Sequence, residues 1–137
     1  YAMMLGQSFV GQRTHDVLST MDLLTAEGAG KIHLIGRGQG AILATFAGLL
    51  HKSAGRVTLK NGPISFHEWT QTPLVHWPFA SIPRGILKRF DLPDCVRALG
   101  KRASLIQPWR PDMKPYTRAQ LHSAMKEAKL PTTLLSS

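Results

Sequence analysis

Apolar residues recur along this chain with two different periods, and the change from one period to the other lays out its elements. From Val10 to Glu27, the positions Val10, Val17, Leu18, Met21 and Leu24 fall at helical spacing among polar residues. This predicts one amphipathic helix, stopped by Gly28 and Gly30. Residues 32–35 are apolar except for His33, the pattern of a strand covered on both faces. Gly36, Gly38 and Gly40 then permit a sharp turn and a close approach to a neighbouring backbone. Beyond them Ala41, Ile42, Ala44, Phe46, Ala47, Leu49 and Leu50 make a helix, over about residues 38–51, that is apolar almost all round and suited to lie against a sheet. Residues 56–60 (RVTLK) form a second strand, ended by Asn61, Gly62 and Pro63.

A strand, a helix and a strand with short joins make a right-handed crossover in a parallel sheet. Residues 64–83 break the pattern, with Phe66, Trp69, Trp77 and Phe79 set among Pro73, Pro78 and Pro83. They read as a surface excursion that packs its own aromatics, a cap over the sheet edge. Two short helices follow, one over about residues 83–90 and one over 92–99 with Asp91 as N-cap and Pro93 in its first turn. Residues 103–107 form a third strand ended by Pro108. Thr117 caps a last helix, with Leu121, Met125 and Ala128 on one face and Pro131 at its end. Residues 132–135 are expected to start a fourth strand. The expectation is a single α/β domain over residues 1–137, a mostly parallel sheet with helices on both faces. Met3, Met4 and Leu5, ahead of Gly6, are expected to cap an edge or join further material, since a chain opening at Tyr1 reads as processed or as part of a longer one.

Charge changes this picture little. Seventeen Lys and Arg against eight Asp and Glu give a formal charge of +9 over 137 residues, but the basic residues run from Arg13 to Lys129 with no basic cluster interleaved with aromatics. A solvated basic surface is expected rather than a specific nucleic-acid site. The single cysteine, Cys95, rules out an internal disulfide and any CxxC metal site, and is expected to be a buried or half-buried helix residue. His15, His33, His51, His67, His76 and His122 never fall at HxH or HxxxH spacing, so no metal is expected. His67 and His76, with Glu68 nearby, are the acid/base candidates of the excursion. No apolar run approaches the roughly 18 residues that span a bilayer, and no secretory leader is legible. A soluble chain is expected, its compartment undetermined.

Five phrases carry a family resemblance. Residues 10–13 (VGQR) lead into the first helix, and residues 31–36 lead into the Gly36-x-x-x-Gly40 turn. Residues 57–63 (VTLKNGP), 90–95 (FDLPDC) and 106–109 (IQPW) complete the set. Together they resemble the α/β-hydrolase superfamily, in its acetyl-xylan-esterase and dienelactone-hydrolase branch, over roughly residues 8–130. The resemblance implies the C-terminal half of such a domain, without the first strands of the sheet. It implies an ancestral carboxylic-ester hydrolysis, on ester or acetylated-carbohydrate substrates and with no cofactor. In that family the turn reads Gly-x-Ser-x-Gly, with the serine raised on a strained strand-to-helix turn. Here Gly38 stands at the nucleophile position, so no side chain can attack. The backbone N–H of Gln39 is implied as one oxyanion donor. Asp112, in the loop after the third strand, is the candidate triad acid, and its plainer reading is a turn aspartate beside Arg110. A triad histidine is expected after a final strand, but only Ser136 and Ser137 follow Leu135, and His122 falls inside a helix. The expectation is a hydrolase-like domain that is catalytically impaired.

Two other readings stand beside it. Gly36, Gly38 and Ala41 satisfy the permissive dinucleotide fingerprint, in which glycines bring a helix N-terminus to a pyrophosphate. An acidic residue should then hold the ribose about 20 positions on. Here there is no acidic residue between Glu27 and Glu68, and Lys60 stands at that strand end. The other reading is a partner- or carbohydrate-binding scaffold, which exposed Trp69 and Trp77 would favour. An uncovered sheet edge would also invite association.

Overall fold

Ser8 opens the first helix. Its hydroxyl accepts the Gly11 N–H at 3.1 Å, and α1 runs from Phe9 to Ala26. The computed structural model describes residues 8–136, the side chain of Phe79 excepted, so the expectation for Met3, Met4 and Leu5 lies outside the described residues. β1 (Ile32–Arg37) leads into α2 (Gln39–Leu50), and β2 (Ala54–Lys60) follows after a short join. Next come a short helix α3 (Phe66–Thr70), α4 (Leu92–Leu99) and β3 (Ala103–Ile106). α5 (Arg118–Glu127) and the two-residue β4 (Leu135–Ser136) end the described chain.

The four strands form one sheet in the order β1-β2-β3-β4, and every pairing is parallel. Helices flank it, making a small α/β domain. Val57, Leu59, Ala103 and Leu105 point into a core with Ala41 and Ala44 of α2, Val96 and Leu99 of α4, and Met125 of α5. α1 packs on the same side, through Met21 against Ala47 and Ala54. The helices therefore cover one face of the sheet rather than both. On the other face His33, Arg56 and Lys60 are exposed, and Ile35 is 71% exposed, so residues 32–35 form a one-sided strand and not a doubly covered one.

The excursion also differs from its expected form. It holds α3 and a turn of 3-10 helix, and Phe66, Trp69 and Trp77 join Val10, Ile42, Ile86 and Leu92 in a second core. Phe66 meets Trp69 edge-on, and Trp69 stacks on Trp77 with ring centroids 5.8 Å apart. These rings cover α2 rather than the sheet edge, because a helix apolar all round has a second flank to bury. The helix expected over residues 83–90 shrinks to one 3-10 turn, Ile86–Lys88, behind a left-handed Gly85. On α1, Leu24 is 41% exposed and Thr14 is buried in its stead. α4 and α5 match their expected caps, Asp91 and Thr117, and each closes a reciprocal capping box, with Asp94 and Gln120. Cys95 is buried, and desolvation pushes its thiol up to about 11.

Candidate functional site

The C-terminal ends of the strands set the site. β1 ends at Arg37, and Gly38, with φ 58° and ψ −123°, turns the chain directly into α2 as its N-cap. A left-handed φ of this kind suits glycine, since any Cβ there is strained. A Cβ on Gly38 would nonetheless meet nothing within 4 Å, so the position faces open space. Gly36 is the reverse case. A Cβ there would lie 2.5 Å from the Gly40 carbonyl carbon and 2.7 Å from the Ala41 Cα, so its glycine is needed for the helix to approach the strand. The Gly38 N–H donates to the Lys60 carbonyl at 2.9 Å, and its own carbonyl accepts from Ala41 at 3.1 Å. Gln39 is the first residue of α2, where backbone N–H groups have no partner inside the helix. No side chain caps this end and no acidic residue lies in its first turn, which leaves the dipole of α2 uncompensated.

Asn61 fixes the turn in place. Buried and left-handed (φ 53°), it donates its N–H to the Ile106 carbonyl at 2.9 Å and its side-chain amide to the Gln107 carbonyl at 3.1 Å. Its Oδ1 accepts from Arg37 Nε at 3.3 Å, so one side chain ties together the ends of β1, β2 and β3. The sequence marks Asn61 only as a turn residue. Its role as a clamp depends on the strands being adjacent, which no local pattern encodes.

Asp112 lies in a separate turn over residues 110–114. Its carboxylate takes two hydrogen bonds from the Arg110 guanidinium, one of them from Nε at 3.0 Å. That pairing holds it below the usual carboxylate range and raises Arg110 in return. The turn is pinned to the aromatic core, since Trp77 Nε1 donates to the Arg110 carbonyl at 3.0 Å and the His76 N–H to that of Pro111 at 2.8 Å. Gly38 and Gln39 thus sit together in the elbow, whereas the bonds of Asp112 run to Arg110 and to the Lys114 backbone. His122 is exposed on α5. His67 and His76 are exposed too, and among the described residues their hydrogen bonds run through the backbone.

Glu68 has a partner that the sequence did not suggest. The Tyr116 hydroxyl donates to its carboxylate, and burial raises both groups above their ordinary values. They meet beside a cleft between α3, α4 and α5, where the Asp91 carboxylate accepts the N–H groups of Phe66, His67 and Leu92 at 2.7, 2.9 and 2.6 Å. Asp91 therefore caps two helices rather than the one expected. Glu68 and Tyr116 are 48 positions apart, so only the packing of α3 under the 110–117 loop brings them together.

For the dinucleotide fingerprint, Gly36, Gly38 and Ala41 do meet in the elbow, Ala41 packed against Gly62, and the exposed Lys60 closes β2 where an acid would be wanted. Trp69 and Trp77 are 5% and 4% exposed, so the exposure that would favour a partner- or carbohydrate-binding surface is not met. Buried rings stacked on each other offer no face to a sugar. Among the described residues no group of three or more His, Cys, Asp or Glu could hold a metal ion, and no helix is long and apolar enough to cross a membrane. Comparison with protein-family models, with curated proteins and with solved structures gives no match to this chain.

Proposed function

We propose that the chain is an α/β-hydrolase-like domain, related to carboxylic-ester hydrolases such as acetyl xylan esterases, in which the nucleophile position is empty. The observation that carries this reading is Gly38, a left-handed residue between a parallel strand and an uncapped helix, with open space where a side chain would project. That geometry presents a nucleophile beside a free backbone donor, which is what acyl transfer requires. Without a side chain at Gly38 no acyl-enzyme forms. Asp112, the candidate triad acid, is paired with Arg110.

Two measurements test the proposal. The native chain should not hydrolyse p-nitrophenyl acetate above buffer and should not be labelled by a fluorophosphonate. Turnover that Asp112→Ala abolishes would overturn the reading. The second measurement probes the elbow itself. The thiol of Gly38→Cys, at the positive end of α2, should titrate clearly below the ordinary value of about 8.5 and react with iodoacetamide well before Cys95. A thiol of ordinary pKa there would mean that the turn does not activate a nucleophile.

A further inference from the structure

The basic residues are scattered along the chain, and the fold gathers six of them on one side. Val57 and Leu59 of β2 turn into the core, so Arg56 and Lys60 turn out onto the open face of the sheet. The parallel register sets Arg37 of β1 beside Lys60. Where the strands begin, this face runs into an open basin lined by Lys31, Lys52, Arg56 and Arg102, with His33 and His51, and by no Asp or Glu.

The acids are sorted the other way. None of the eight Asp and Glu stands on a strand: seven belong to α1, α3, α4 and α5 with their caps, and Asp112 to the 110–114 turn. The eleven remaining Lys and Arg share the rest of the surface with all eight acids, so six of the nine net charges lie on the open face and its basin. These six are held in place without being neutralised. Lys31 Nζ donates to the Lys52 carbonyl at 2.8 Å, Arg102 to the Ala54 carbonyl at 3.1 Å and Arg37 Nε to Asn61 Oδ1 at 3.3 Å, all uncharged acceptors. Among the described residues none of the six makes an ion pair, and Asp22, which reaches the rim of the basin from α1, is taken up by His51 at 2.8 Å. Like charges gathered in this way attract a polyanion.

Four features choose among polyanions. No aromatic residue stands on the four strands or lines the basin, so the bases of a single strand have nothing to stack on. The hydroxyls of the face are spent on neighbours, Thr58 on His33 at 2.8 Å and Ser104 on Ser136 at 2.6 Å, which leaves no hydroxyl row for the 2′-hydroxyls by which duplex RNA is recognised. The apolar residues Ile35 and Ile106 stand in different rows of the register, one beside Thr58 and the other beside Lys60, and form no apolar core for an acidic protein to cover. The basin makes the surface concave, a shape that meets a rod rather than a plane.

We infer that this face binds double-stranded DNA through its phosphates, without reading sequence. From Lys31 to Arg37 the charged strip is about 20 Å long at roughly 3.3 Å per residue, the length of about six phosphate steps along one DNA strand. Binding there is independent of the hydrolase-like reading, since it needs no group at Gly38.

Fluorescence anisotropy of a labelled duplex of about 20 base pairs, titrated with the native chain over a range of salt, tests this. At about 50 mM salt the Kd should be micromolar or tighter and the same for two unrelated sequences, and log K against log salt should have a slope of about −5, six contacts at about 0.9 each. Arg56→Gln with Lys60→Gln should flatten that slope by about 2 and weaken binding at least about tenfold. Arg118→Gln with Lys126→Gln removes the same charge from α5 and should change the affinity by less than about threefold. All four residues are exposed, so both variants keep the fold. No binding at that salt, an equal loss in the two variants, or tighter binding to duplex RNA or to a single strand would overturn the proposal. Equal uptake of polyglutamate or of phosphatidylglycerol vesicles would overturn it as well, marking a surface that takes any polyanion.

Discussion

On the helix-covered face of the sheet, Val57 is fully buried and Leu59, Ala103 and Leu105 nearly so, whereas on the opposite face Ile35 is 71% exposed among Arg56, Thr58 and Lys60. The two faces belong to the same four strands, so the difference lies only in which residues alternate inward. Parallel sheets are usually covered on both sides and read as continuous apolar runs. Here β2 and β3 alternate like a sheet with one wet face, and the wet face is polar and basic. His33 bonds to Thr58 across that face at 2.8 Å, and the hydroxyls of Ser104 and Ser136 meet at 2.6 Å. The open face therefore meets its polar requirements by itself, while the covered face depends on close packing.

Substitutions can separate the faces. The largest expected effect is at Gly36, where a Cβ would press into the backbone of Gly40 and Ala41 on the covered side. Gly36→Val should leave no cooperative unfolding transition in urea. A variant as stable as the native chain would show that α2 can withdraw from the sheet without cost. Next, Val57→Ala should lower stability by about 2 kcal/mol, from lost burial and the cavity left behind. Ile35→Ala, the matched change on the open face, should stay within about 0.5 kcal/mol. Equal losses would mean that the open face is covered in solution, and sedimentation of the chain would then identify self-association through the sheet.

The smallest effect is electrostatic, at the Asp112 turn. Arg110 holds the Asp112 carboxyl below its ordinary 3.8, so the folded state binds that proton less readily than the unfolded chain does. The stabilisation is present above about pH 4 and is lost as pH falls through the folded value. Stability of native and Asp112→Asn chains should therefore differ near neutrality and converge in acid. A difference constant across pH would place the role of Asp112 in the shape of the turn rather than in its charge.

Some of this was legible residue by residue. Asp91 and Thr117 are legible as caps because an N-cap bonds to N–H groups within three residues, a local event. The elbow is legible for the same reason, since strand, turn and helix are contiguous from Ile32 to Leu50. The Arg110–Asp112 pair lies two positions apart and is legible as the plainer alternative for Asp112. The burial of Thr14 is not, because a threonine on a helix is ordinary until its neighbours are known.

The periods of the apolar residues by themselves determined the order of α1, β1, α2, β2, α4, β3 and α5 and the parallel crossover, and composition alone gives the absence of a side chain at Gly38, because these follow from local geometry. Tertiary structure alone decided that the helices share one face, that Trp69 and Trp77 are core, that Asn61 clamps three strands, and that Glu68 meets Tyr116. Each of those depends on which surfaces meet across tens of residues. A side chain's burial is set by the partner that covers it, and the partner is not written in the residue's own neighbourhood.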